Sequence, residues 1–211
     1  MEISFAIVGT AGRKDDGNKL SATHFKAMCE MAEGLIKILK ERNYAPTVLV
    51  SGGAAWADHV AVKLFLSGVV PKLRLFLPCK FENGAYVDNG IQDFKQNPGS
   101  VANKYHNEFK TKTKITSLSD ITIAISKGAE VHVANGFWAR NGLVAKSDIL
   151  LAMTFGNKEY VKDGGTAHTV RTYLNRVHRE GCFDKSFHYN LNDGKLYREV
   201  KVKDEPEIKN G

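Results

Sequence analysis

The sequence predicts an α/β fold: a mostly parallel sheet flanked by helices, with a small C-terminal β-hairpin. Two observations carry this. Short apolar, β-branched runs alternate with longer segments whose apolar residues recur every three or four positions, the pattern of strands joined by crossover helices. Glycine-bearing loops follow three of the apolar runs, at 9–12, 51–54 and 164–167. The 211 residues, 43% hydrophobic and 25% charged, can bury a full core without metals or crosslinks.

Residues 3–8, ISFAIV, are apolar apart from Ser4, as a strand buried on both faces requires. GTAGR ends that strand, and KDDGNKLS reads as a loop. A helix is expected over 22–42, with Thr23 as its cap and Phe25, Met28, Met31, Leu35, Ile38 and Leu39 along one face. Pro46 closes the turn into a second buried strand, TVLV at 47–50. SGGAAWAD leads into a helix over 57–66 that Gly68 ends, and KLRLFL at 72–77 is a third strand stopped by Pro78. The stretch 79–135 is rich in Asn and Gly and reads as an insertion or surface excursion, with a helical piece capped by Ser100. DILLAMT at 148–154 is the last buried strand. A helix over 167–179 then carries Val170, Leu174 and Val177 on one face. FHYNLNDGKLYREVKV forms a hairpin around Asp193 and Gly194, followed by a charged end. The expected division is a Rossmann-like domain over 1–180 with an insertion at about 79–135, then a hairpin and tail over 181–211.

Thirty Lys and Arg against 23 Asp and Glu give a net charge of +7, which suits an anionic partner without choosing one. Cys29, Cys79 and Cys182 are scattered and odd in number, so no disulfide framework or zinc knuckle is expected. His59, His106, His132, His178 and His188 show no ligand spacing, and no metal is expected. No apolar run reaches the roughly 18 residues of a membrane span. The N-terminus enters a strand directly, without the regions of a signal peptide, and a cytoplasmic protein with no membrane partner is the expectation.

The chemistry concentrates in the glycine loops. Glycine lets backbone amides approach an anion, and a helix N-terminus adds unpaired N–H groups and partial positive charge. Gly9, Thr10, Ser51, Gly52, Gly53, Ala54, Gly164, Gly165 and Thr166 therefore form a candidate phosphate-binding crevice beyond the strand ends, where ligands of such sheets sit. Arg13 follows the first loop and could clamp the same anion. GxxxxGK[ST] is absent, and GTAGRKD is not a GxGxxG fingerprint, so no dinucleotide cofactor is expected. Asp58 opens a helix; it is either a first-turn carboxylate favoured by the helix dipole or an acceptor for a ribose hydroxyl. Trp56 and Trp138 sit beside motifs and are either packed or base-stacking. His168, in the first turn after the third loop, contacts phosphate, shuttles a proton, or is a neutral hydrogen-bonding ring whose pKa the helix N-terminus lowers. Lys104, Tyr105 and Lys110 could reach the site from the excursion.

The ordered motifs VGTAGR, VSGGAAWADHVA, ARNGLVAKSDILLAMTFG and GGTAHTVR resemble the SLOG superfamily, a Rossmann-like group that includes DNA-processing protein A and the Lonely Guy phosphoribohydrolases. The similarity is greatest to its YspA-type branch, with GGARGAD, then an RN pair, then GGTADMVR. It implies a nucleotide or nucleotide-derived ligand, with Arg140 and Asn141 as the RN pair and Arg140 on phosphate. Two departures stand out. His168 replaces the branch's usual Asp, and Thr169 stands where Lonely Guy enzymes carry a catalytic Glu. Ligand binding without turnover therefore ranks first. N-glycoside hydrolysis of a nucleoside monophosphate comes next, with Asp58, Asp16 or Asp163 as a substitute carboxylate and His168 as a second candidate. Nucleic-acid binding ranks third, because the positive residues are dispersed. Self-association is left open.

Overall fold

The computed structural model describes residues 2–93, 96–162 and 164–203. Strand β1 (Ser4–Gly9) is central. Its alternating side chains feed both faces: Phe5 and Ile7 enter one core, Ala6 and Val8 the other. A single turn of helix, α1 (Asp15–Lys19), lies in the segment expected to be loop. Helix α2 (Ala22–Glu41) begins after Ser21, so Thr23 lies inside its first turn rather than at the cap. Its buried stripe is Phe25, Met28, Ala32, Leu35, Ile36 and Leu39. Ile38, expected on that stripe, is instead exposed, because the 3.6-residue period carries position 38 onto the flank.

Strand β2 (Val48–Ser51), helix α3 (Ala57–Leu66) and strand β3 (Lys72–Leu77) follow as expected. The excursion is more regular than its composition suggested. It holds a two-stranded hairpin, β4 (Phe81–Glu82) with β5 (Ala85–Tyr86), and helices α4 (Pro98–Thr113) and α5 (Ser117–Ser126). Asn97, not Ser100, caps α4: its side chain accepts the Ser100 N–H at 3.1 Å. Strand β6 (Glu130–Val133) then pairs in parallel with β3, Arg74 opposite Glu130. The excursion therefore completes the sheet edge. An edge strand of Glu-Val-His-Val with all four residues exposed lacks the apolar run that marks a buried strand.

Helix α6 (Gly136–Val144), strand β7 (Ile149–Thr154) and helix α7 (Gly165–Arg179) complete the alternation, and β8 (Ser186–Asn190) with β9 (Lys195–Arg198) form the hairpin. The sheet order is β6-β3-β2-β1-β7-β8-β9, parallel except for β9. The hairpin is thus built into the main sheet, with β8 buried throughout against β7. Helices α2, α3 and α5 pack on one face and α6 and α7 on the other. The order reverses between β1 and β7, which opens the switch-point crevice at their carboxyl ends. No helix among the described residues is long and apolar enough to cross a membrane.

Candidate functional site

The loops at the strand ends are joined by Asp58. This side chain lies in the first turn of α3, 4% exposed. Its carboxylate accepts peptide N–H groups from Gly9, Gly52 and Ala54, and Arg140 Nη1 at 3.0 Å. Burial raises its pKa; Arg140 and the three amides pull the other way. Arg140 Nη1 also donates to the Gly52 carbonyl at 2.9 Å. A Cβ on Gly52 would meet Arg140 Nη1 at 1.9 Å, so glycine here makes room for a guanidinium of the protein itself.

A second layer holds Gly53. Its φ of +70° and the 2.4 Å that would separate a Cβ from Leu77 both demand glycine. Its carbonyl accepts from Tyr86 Oη at 2.5 Å and His106 Nε2 at 3.0 Å. Because a carbonyl only accepts, Nε2 carries the proton and Nδ1 accepts from Ser117 Oγ at 2.8 Å. Burial drives the His106 pKa down to about 3, so the ring is neutral.

Thr10, Ser51 and Thr166 stand in the candidate phosphate crevice by sequence, but their hydroxyls are already engaged within the protein. Thr10 Oγ1 donates to Asp16 at 2.8 Å, and Asp16 is further held by Lys162 at 2.6 Å. Ser51 Oγ donates to the Asp58 carbonyl at 2.8 Å and accepts the Gly53 N–H. Thr166 Oγ1 donates to the Gly9 carbonyl at 2.9 Å. Asn141 donates to the Gly165 carbonyl at 3.1 Å. The RN pair is therefore a double tether: Arg140 holds the second glycine loop and Asn141 the third.

What remains free faces a narrow cleft beyond β1, β2 and β3, about 280 Å³ when the open solvent at its mouth is included. Arg13, Gly52–Ala55, Tyr105, Phe137 and Arg140 line it. The Arg13 guanidinium lies 4.9 Å from the Phe137 ring centroid and 5.4 Å from that of Tyr105. No carboxylate forms an ion pair with it among the described residues. Burial lowers its pKa, and the neighbouring Arg140 adds to that. Arg140 Nε is buried without a partner. Gly164 and Gly165 stand apart from this cleft, at the N-terminus of α7, with open space where a Cβ would project from Gly164.

Trp56 does not stack a base: it is 2% exposed and packed edge-on against Phe25 and Phe109 in the core. Trp138 is 66% exposed, with its ring edge-on to His168 at 4.3 Å. His168 Nδ1 is buried without a partner; burial and then Arg171 lower its pKa. Asp163 lies outside the described residues. Among the described residues no cluster of three or more His, Cys, Asp or Glu is placed to hold a metal. Tyr105 lines the cleft as anticipated, whereas Phe137, Tyr86 and His106 carried no signal in sequence beyond their aromatic character.

No family model matches the chain. An uncharacterized protein of Acanthamoeba polyphaga mimivirus is 40% identical over 171 residues, spanning 80% of this chain and 89% of the viral protein.

Proposed function

The chain belongs to the same family as this mimiviral protein, and from the site described above we propose that it binds a nucleotide or nucleotide-derived anion at the carboxyl ends of the strands. One observation carries the reading. Arg13 is a cation without an acidic partner among the described residues, held between two aromatic rings beside a second arginine. Asp58 already neutralises Arg140, so Arg13 is the guanidinium of the cleft left for a bound anion to pair with. The aromatic walls suit a planar base, and the backbone of Gly52–Ala55 allows close approach. The order of the four motifs, together with the switch-point position of their loops, supports a SLOG-type assignment.

Binding is favoured over glycoside hydrolysis because hydrolysis needs a carboxylate free to face the sugar. Asp58 is surrounded by its own donors and Asp16 is held by Thr10 and Lys162. Calorimetric titration with a panel of nucleoside mono-, di- and triphosphates tests the reading. At least one nucleotide is expected to bind, and Arg13→Ala to weaken it at least about tenfold, the loss of one charge-assisted contact of roughly 1.5–3 kcal/mol, with the melting temperature unchanged. Silence across the panel, or full affinity in the variant, overturns it. Free base accumulating in the same mixtures moves the assignment to a hydrolase.

A further inference from the structure

A second groove lies beside the cleft, between α4 and the loop after β1, and encloses about 780 Å³ open to solvent. Its lining is largely polar, and its charged residues are mostly basic: Lys14, Lys104 and Lys112 against Glu108, with Asn18 and Thr111 beside them. Tyr105 lines both spaces, and consecutive residues divide between them, Arg13 in the cleft and Lys14 in the groove. The two are therefore neighbouring compartments across one aromatic wall.

The lysines differ in what they are free to do. Lys112 donates to the Gly17 and Leu20 carbonyls, tying α4 to α1 and the residue that caps it. Lys14 forms no ion pair among the described residues. Lys104 reaches Glu108 only at 4.0 Å, a pair on the exposed side of one helix that an incoming anion readily replaces. Asn18 and Thr111 add polar groups without charge. A base gains little from such walls, whereas a phosphate gains from the lysines, Asn18 and Thr111, with Glu108 the one opposing charge among the lining residues.

We propose that this groove is a second anion subsite, and that the ligand carries two separated phosphate groups, one met by Arg13 in the cleft and the other by Lys14 and Lys104. This rests on the nucleotide-binding reading of the cleft. Two sources share that chemistry: a nucleoside bisphosphate with both groups on one ribose, and a 5′-phosphorylated dinucleotide.

The test compares adenosine 5′-monophosphate, adenosine 3′,5′-bisphosphate and the 5′-phosphorylated dinucleotide pApA by calorimetry at constant ionic strength. One of the two bisphosphorylated probes is expected to bind at least about tenfold more tightly than the monophosphate. Which one does so identifies the source. Replacing Lys14 and Lys104 together by Ala is expected to abolish that advantage while leaving monophosphate affinity within about twofold. Equal affinity for all three probes, or an advantage that survives the double variant, overturns the second subsite and leaves the cleft standing. No binding of any probe removes the cleft reading, and this inference with it.

Discussion

Asp58 shows how one residue can be legible in sequence and still be misread in role. Its place after SGGAAWA marked it as a first-turn carboxylate or a ribose acceptor, and the fold makes it an internal anchor. Three peptide amides and a guanidinium converge on it from segments that meet only after folding. Asp58→Asn keeps the shape and removes the charge, leaving Arg140 buried without its counterion. A loss of about 3 kcal/mol is expected, read as a lower urea midpoint at unchanged slope. A residue acting only in catalysis would leave that midpoint where it is. Trp56 and Trp138 make the same point from the other direction. Both stand beside a motif, yet one is sealed in the core and the other presents its ring to solvent. Local sequence does not say which.

Among the elements, α6 does the most to shape the site. Phe137 and Arg140 turn toward the Arg13 cleft, Trp138 and Asn141 toward the N-terminus of α7. Helix α4 supports the opposite wall through His106, whose neutral ring spans Gly53 and Ser117. Burial holds its pKa at about 3, against about 6.5 for a free histidine. As pH falls below 6.5 the unfolded chain takes up this proton first, so stability is full above 6.5 and is lost as pH drops toward 3. The buried His59 has a lowered pKa as well and adds in the same direction. Melting temperatures measured from pH 8 to pH 4 are expected to fall below pH 6.5, and His106→Gln to flatten part of that slope. A variant whose profile overlies the wild type would show that His106 does not contribute.

On the scale of the whole molecule, the hairpin at the C-terminus belongs to the sheet. Strand β8 covers the outer side of β7 and is buried at all five positions, a placement that a division at residue 180 does not suggest. Ending the chain at Asp184 leaves β7 with an open edge and a bare apolar face. Such a chain is expected to be insoluble or rapidly digested in limited proteolysis, whereas ending it at Lys203 leaves the protein resistant. Protection of the shorter chain equal to that of the longer would make the hairpin an appendage after all. The sequence by itself determined the alternation of strands and helices, because continuous β-branched runs and helical apolar spacing are local properties. It also located the glycine loops at the strand ends. It could not mark β6, whose edge position needs no apolar run, or show which polar groups were still free. That was decided by the tertiary structure. Arg140 and Asp58 are 82 positions apart, as Gly52 and Arg140 are 88 apart, and Thr166 and Gly9 are 157 apart. Around the cleft, hydrogen-bond donors are used up by partners that only the folded chain brings within reach, and among the described residues there they leave over Arg13 and the Nε of Arg140.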